Sequence, residues 1–400
     1  MTTSTVPWFE HLSYTKSEVV FIPNFWSHAA TVRSHLDDAF REVVRQQRFP
    51  KMRLFTGSGL RNDLTVQLLK QPLFAGETFP EWIERVIGTP DFCVALNNTS
   101  SYSEPLAALL TETITQPASR HLGTLLGGYE AYLFAGRYDA TPFGIHDDVD
   151  HSLLLHLGPA PQDVLIWPRA EYEKIAGPSG TAMIDFDIAA KAPWAQHLTF
   201  RENDLLMIPQ GDFHVFMRPN YSVTLGLIPH PTTLAGFLSR VMTEFTRDLT
   251  SANEDASYVT WPALPGQIER LLDADGVLQL PVRDLVRQSS LRLESNGYLI
   301  PSPPMLGVAG AEEHTFQRRA PYPLLWESSC DQVTIYARGR TLKFRELPHM
   351  HRVLERISGG TPFSIADLIR VTGDTWGADL ATHLVTALWA HRAIEVVHGV

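Results

Sequence analysis

Apolar positions along this chain recur at two spacings, and the spacing changes twice. In residues 28–45, Leu36, Phe40, Val43 and Val44 fall on one side at intervals of three and four, which predicts an amphipathic helix. Residues 81–87 and 106–114 predict two more helices, and the run Val19-Val20-Phe21-Ile22-Pro23 predicts a short strand ended by proline. From about residue 127 the texture becomes β-like. Residues 128–135, 152–157, 164–167, 181–186, 197–200, 205–208 and 222–228 are short apolar or alternating runs separated by Gly, Pro, Asn or Asp. Strands at this spacing predict an all-β sandwich or barrel. Beyond Pro231 helical spacing returns. Leu234, Phe237, Leu238, Val241, Phe245 and Leu249 mark a helix that Thr232 or Thr233 can cap, and 268–272 and 282–286 predict shorter ones. Residues 296–310 are rich in Pro and Gly and predict a linker. The remainder predicts a strand at 333–336, helices at 351–357, 364–371 and 379–391, and a strand at 393–397, the element order of a winged helix.

Composition narrows the function classes. The net charge of −11 argues against a nucleic-acid-binding surface. The two cysteines, Cys93 and Cys330, show no paired spacing, so neither a disulfide framework nor a zinc ribbon is expected and a reducing compartment is. Cys93 lies in an apolar run and is expected in the core. The first residues lack the basic and apolar regions of a signal peptide, and no apolar stretch is long enough to span a bilayer. A soluble, cytoplasmic protein is expected, with no membrane partner.

The chemistry concentrates at Thr141-Pro-Phe-Gly-Ile-His146-Asp-Asp148-Val-Asp-His151. His146 and Asp148 are two apart, so on a strand they point to the same side. A third ligand is expected from across the barrel. His214 fits, because it follows the run Asp204-Leu-Leu-Met-Ile-Pro-Gln-Gly-Asp-Phe, an apolar strand leading into a Pro–Gly turn. Two histidines and one carboxylate on one face, with the other positions open, match non-haem Fe(II) oxygenases, whereas a structural zinc site would be closed by four protein ligands. A lone His-x-Asp is a weak signal in a chain with 16 histidines; the two elements in order within a β-rich segment are a strong one. His151, Asp150 and His156 read as neighbours rather than ligands.

At these residues the chain resembles the JmjC-type members of the cupin superfamily, the Fe(II)- and 2-oxoglutarate-dependent oxygenases. The pieces that carry the resemblance are His146-x-Asp148, the 204–214 run and the strand Tyr221-Ser-Val-Thr-Leu-Gly-Leu-Ile228, within residues 127–230. A barrel, a helical segment and a C-terminal winged helix are together similar in layout to the ribosomal oxygenases. The resemblance implies an α+β fold. A double-stranded β-helix (cupin or jelly-roll) barrel with flanking helices would occupy 1–230, a helical, dimerising segment 231–295 and a winged-helix-like domain 311–400. It implies Fe(II), 2-oxoglutarate and O2, with cleavage of the co-substrate to succinate and CO2 and hydroxylation of a C–H bond. One departure stands out. The family places a Lys or Arg on the strand after the metal pair to meet the far carboxylate of 2-oxoglutarate, yet residues 152–167 contain neither. Arg218, His156 and Arg169 are the candidate donors, assisted by Ser222, Thr224 or Tyr132. Thr141 is a further hydroxyl donor or a plain turn residue.

Three functions compete on this reading. One is hydroxylation of an amino-acid side chain in a protein or peptide, by a homodimer. Another is a similar oxygenase acting on a free amino acid or natural-product peptide. The third is a cupin ligand sensor with a DNA-binding winged helix, which is disfavoured because residues 379–391 carry no Arg or Lys. Segments 52–63, 75–78 and 168–180 are expected to set specificity, as loops around a rigid barrel do.

Overall fold

The computed structural model describes residues 18–46, 51–122, 127–176, 185–230, 239, 282–305, 310–329, 331–373 and 375–397. Ten strands build the main body: β1 (Val20–Ile22), β2 (Met52–Thr56), β3 (Gly59–Leu60), β4 (Phe92–Asn97), β5 (Tyr129–Tyr138), β6 (Ser152–Pro159), β7 (Gln162–Trp167), β8 (Gln196–Phe200), β9 (Leu205–Ile208) and β10 (Phe213–Pro229). Every pairing among them is antiparallel. The larger layer runs β1-β9-β6-β10-β5-β4-β2-β3, and the smaller one joins β8 to β7 and β7 to the first residues of β10. β10 therefore belongs to both layers. Phe213 to Met217 pair with β7; after a register shift between Arg218 and Ser222 the same strand pairs with β5 and β6. This large sheet folded back on itself is consistent with a jelly roll.

Side-chain alternation explains why the larger layer needs helices on one face only. Along β6, Leu153, Leu155 and Leu157 belong to the outer core, while Leu154 joins Val164, Ile166, Phe200 and Leu206 between the layers. Along β10, Val223, Leu225 and Leu227 point outward, which sends Ser222, Thr224 and Gly226 inward. The outer apolar face is covered by helix α1 (Ala29–Arg45), whose Val32, Leu36, Phe40 and Val43 are buried at helical spacing. After α2 (Asn62–Lys70) comes α3 (Phe79–Ile87), which starts in a Thr78–Glu81 capping box and stacks Phe79 on Phe40 at 3.9 Å. The inner face is left for the pocket.

Several expectations are corrected. The predicted 106–114 helix is α4 (Glu104–Leu110), which continues through a π-helical turn at Thr111–Thr115 into α5 (Gln116–Leu122). Within the loop expected at 52–63, Met52–Thr56 and Gly59–Leu60 are strands of the sheet; Phe92–Asn97 is a further strand; and within the loop expected at 168–180 lies helix α6 (Arg169–Ala176), followed after a gap by α7 (Ile188–Lys191). The strands predicted separately at His214 and at 222–228 are one. The predicted 282–286 helix is longer, α8 (Val282–Glu294). Residues 296–300 are no free linker, because Tyr129 N–H donates to Tyr298 O and Ile300 N–H to Tyr129 O. The helices predicted at 234–249 and 268–272, most of the run at 181–186, and Cys330 lie outside the described residues. Cys93 is buried, and burial pushes its thiol up to about 12.

The C-terminal unit holds β11 (Phe316–Arg318), the meander β12 (Leu325–Ser329), β13 (Gln332–Ala337) and β14 (Arg340–Arg345), then α9 (Met350–Ser358), α10 (Ile365–Val371), α11 (Ala378–Ala390) and β15 (Ile394–Val396), which returns to pair with β11. The inner face of α11, Ala381, Leu384, Val385 and Leu388, lies in its core. Among the described residues no helix is long and apolar enough to cross a membrane.

A charge cluster ties this unit to the barrel. Glu104, at the start of α4, accepts from Arg338 Nη2 at 2.7 Å and Arg392 Nη1 at 3.0 Å, and the Arg338 guanidinium lies 3.5 Å from the Tyr322 ring centroid. Both arginines are buried. Removing the carboxylate strands Arg338 and leaves Arg392 only Glu42, at 3.9 Å, as an anionic partner, so Glu104→Ala is expected to cost about 3 kcal/mol in urea unfolding. An unchanged midpoint would show that the cluster contributes nothing.

Candidate metal centre

The connection between β5 and β6 is held against β10 before it reaches the ligands. Thr141 N–H donates to Phe216 O at 2.8 Å, and Phe216 N–H donates to Thr141 Oγ1 at 3.2 Å. Gly144 then turns with φ +62°, where an added Cβ would stand 2.5 Å from Asp185 O, so both conformation and space call for glycine. Past this turn His146 pairs with His214 across an antiparallel bridge: His214 N–H donates to His146 O at 2.8 Å, and His146 N–H to His214 O at 3.2 Å. Gly211 N–H donates to Asp148 O at 3.0 Å. The two imidazoles thus face each other on one side of a ladder, and Asp148, two residues on, joins them.

One ligand atom from each of His146, Asp148 and His214 lies within 4.8 Å of the others. His214 Nε2 is 3.7 Å from Asp148 Oδ2, and the imidazole centroids are 4.5 Å apart. His146 Nδ1 lies 3.0 Å from Gly144 O, and His214 Nδ1 lies 3.2 Å from Asp212 O. Those carbonyls take the Nδ1 protons and leave the Nε2 lone pairs for a shared ion. Burial and the adjacent His214 push the His146 imidazole down to about 4, against the opposing pull of Asp148, so it is neutral at pH 7. Ser152 Oγ donates to Asp148 Oδ2 at 2.9 Å and fixes that carboxylate. The donor set, two imidazoles and one carboxylate with no fourth protein ligand among the described residues, suits an octahedral ion with open positions.

The three residues line a cleft of about 650 Å³, including its open mouth, together with Arg53, Asn97, Tyr132, Phe134, Thr141, Phe143, Ser152, Leu154, Phe216, Arg218, Thr224 and Ile228. Its inner end is set by Arg218, at the corner where β10 changes layers. The side chain is 1% exposed. Nη1 donates to Phe134 O at 3.0 Å and Ser222 O at 3.2 Å, and Nη2 to Thr224 Oγ1 at 2.7 Å. Nε has no partner, and among the described residues no carboxylate pairs with this guanidinium. Gln162 Nε2 also donates to Thr224 Oγ1, at 2.8 Å. Ser222 Oγ and Gln162 Oε1 are buried without partners. This is a cationic, hydrogen-bond-deficient cradle in the same cleft as the three-ligand face.

The remaining sequence candidates are placed as follows. Thr141 lines the cleft but spends its hydroxyl oxygen on Phe216 N–H. Tyr132 lies over Gly226, where a Cβ would come 2.0 Å from the ring, and burial with the nearby Asp148 charge holds its phenol protonated. His156 is fully buried against Phe200, outside the cleft lining; Gly158 N–H donates to its Nδ1 at 2.8 Å. Arg169 is half-exposed, pairs with Asp147 and Glu173, and does not line the cleft, which removes it as a candidate. The sequence reading missed Gln162, Ser152, Arg53 and Asn97. The first two carried a signal: counting back by two from Val164 and Leu154 puts Gln162 and Ser152 on the inner face.

No protein-family model and no curated protein matches the chain. In fold, it resembles a ribosomal oxygenase. A structure of YcfD, a ribosomal oxygenase from Escherichia coli, superposes with a TM-score of 0.50 at 12% identity, covering 98% of this chain and 99% of that one. A second E. coli YcfD structure gives 0.49 at 13%, and one in complex with cobalt and 2-oxoglutarate gives 0.47 at 13%, with the same coverage. At these identities the likeness speaks to the fold alone.

Two outcomes follow from the site's own bonds. Ser152→Ala frees the Asp148 carboxylate and is expected to weaken Co(II) binding about tenfold, read by competition titration; equal affinity would show that this hydrogen bond is idle. The second concerns pH. Burial, then the neighbouring Arg218 charge, push the His156 imidazole from 6.5 down to about 3. An unfolded chain takes up that proton as pH falls through 6.5 and the folded chain does not until about 3, so stability is full above 6.5 and declines across that window. His156→Gln is expected to flatten the fall in urea midpoint between pH 7 and 4, by up to a few kcal/mol. An equally steep fall would place the acid sensitivity elsewhere.

Proposed function

We propose that this chain is an Fe(II)- and 2-oxoglutarate-dependent oxygenase that hydroxylates an amino-acid side chain, with a protein or peptide as its substrate. The observation that carries the reading is Arg218, a buried, permanently charged guanidinium with no carboxylate partner among the described residues, inside the cleft that holds His146, Asp148 and His214. A buried cation without an anion is costly. A ligand bearing one group that chelates a metal and a second, remote carboxylate satisfies both ends of the cleft, and 2-oxoglutarate is such a ligand. The cradle also answers the missing Lys or Arg of residues 152–167: the donor comes from β10 instead.

In this reading His146, Asp148 and His214 hold the ion, and Arg218 takes the far carboxylate in a charge-assisted hydrogen bond. Thr224 Oγ1 already accepts from Arg218 and Gln162, so its own proton is free to be donated to that carboxylate. Ser222, with an unpartnered hydroxyl, stands beside them. When bound, the iron, 2-oxoglutarate and O2 supply the oxidation, with succinate and CO2 as co-products. The protein supplies geometry and dryness. Phe134, Phe143, Leu154, Phe216 and Ile228 wall the cleft with apolar surface, and neutral His146 is available to the metal at physiological pH. Tyr132, held as a phenol next to Ser152 and Asp148, belongs to the metal's side of the cleft rather than to the Arg218 end. A ribosomal oxygenase is built on a similar fold, so the fold admits this class. Nothing in α11 favours the DNA-binding alternative, because the face that would be read as a recognition helix supplies core residues.

The test is anaerobic addition of Fe(II) and then 2-oxoglutarate to the metal-free protein, following the weak visible charge-transfer band of the chelate. The band is expected to need both additions and to vanish in His214→Ala. Arg218→Met is expected to keep the metal and weaken 2-oxoglutarate about 30- to 100-fold, the loss of a charge-assisted bond. Bound metal without a band, or a band indifferent to Arg218→Met, would overturn the reading.

A further inference from the structure

The cleft has a second cation that the co-substrate does not use. Arg53, on β2, lines the mouth of the same cleft and is exposed. Its guanidinium carbon stands 5.5 Å from the centroid of Phe143, and Phe143 in turn packs at 5.5 Å on the ring of His146. Arg53 Nη2 donates to Asn97 Oδ1 at 3.3 Å, and Asn97 is itself fixed because its Nδ2 donates to Glu130 Oε1 at 3.1 Å. No carboxylate pairs with Arg53 among the described residues. A guanidinium stacked on a ring and steered by an amide is presented in one orientation with its remaining donors open, the arrangement that suits a planar carboxylate.

Charge balance points the same way. On the reading above, the cleft carries Arg53, Arg218 and Asp148, and receives a divalent ion and a dianionic co-substrate. The two imidazoles bind a metal in their neutral form and add no charge. One positive charge is left over, and it sits at the mouth. A zwitterion would leave it unmatched, whereas a monoanion cancels it.

We propose that Arg53, positioned by Asn97 and Phe143, recognises the free carboxylate of an N-acylated α-amino acid, so that the hydroxylated residue is one that bears its own carboxylate. Its side chain then extends along the apolar wall formed by Phe134, Leu154 and Ile228 towards the metal. This inference rests on the proposed oxygenase function. The same chemistry is offered by the C-terminal residue of a polypeptide and by a small N-acylated amino acid.

The probes are N-acetyl derivatives of the apolar L-amino acids, the corresponding N-acetyl amides, and tetrapeptides ending in the same residues as free acids. Each is titrated anaerobically into the full chain loaded with Fe(II) and 2-oxoglutarate, with perturbation of the visible band as the readout. At least one acid is expected to bind, with its amide about tenfold weaker or worse. Arg53→Leu is expected to lose that discrimination while its 2-oxoglutarate band is unchanged, and Arg53→Lys to keep part of it. Tighter binding of the tetrapeptide acid assigns the site to polypeptide termini; equal binding assigns it to small N-acylated amino acids. With the band intact, an amide that binds as well as its acid, an Arg53→Leu protein that still discriminates, or no binding by any acid would overturn this inference alone. Absence of the band in the unmodified protein would instead sink the oxygenase reading beneath it.

Discussion

One strand that changes layers without stopping is the constraint from which the rest of this site follows. β10 gives His214 to the smaller layer and Thr224 to the larger, and Arg218 occupies the corner between them. Because the chain is continuous across that corner, the metal-facing imidazole and the buried guanidinium are only four residues apart, yet they belong to different sheets. Shifting the register of β10 by one residue would turn His214 out of the cleft and Thr224 into the helical layer together. The bridge to His146 and the Gly144 turn beneath it fix that register from the other side.

The electrostatics of the cleft are asymmetric by construction. Among the described residues its single carboxylate is Asp148, beside His146 and His214 and held by Ser152, and its two guanidiniums are at opposite ends, one sealed and one open. At the sealed end Arg218 Nε and Ser222 Oγ are buried without partners. The sealed end discriminates more strongly than the open one, since an exposed guanidinium is screened by water and salt and a buried one much less so.

Much of this was legible in the sequence, and the reasons differ by element. The strands from 129 onward declare themselves by alternation, because their two faces meet different cores, and the His-x-Asp pair needs only a spacing of two to be read. The double role of β10 was not legible: Pro219 and Asn220 look like the end of one strand and the start of another, and only the pairing partners on either side show continuity. β4 was not legible as a strand because Phe92-Cys93-Val94-Ala95-Leu96 is apolar throughout and carries no period, and β2 falls within the loop expected at 52–63. Arg53 and Asn97 escaped with them. Their place at the mouth is set by sheet neighbours far away in sequence, which no local pattern encodes. Gln162 was recoverable, because its parity with Val164 and Ile166 assigns it to the interior.

The Glu104 cluster carries a consequence for how the chain behaves as a whole. The residue opens a helix of the barrel's own wrapping, but both of its cationic partners come from beyond residue 330, and Tyr322 and Leu299 pack into the barrel core. What pattern alone divides into a barrel followed by an appendage is joined by buried ion pairs and shared core residues. A chain shortened to its first 310 residues would lose more than an appendage. It would leave an unneutralised carboxylate and an uncovered apolar seam against the sheet that carries the site.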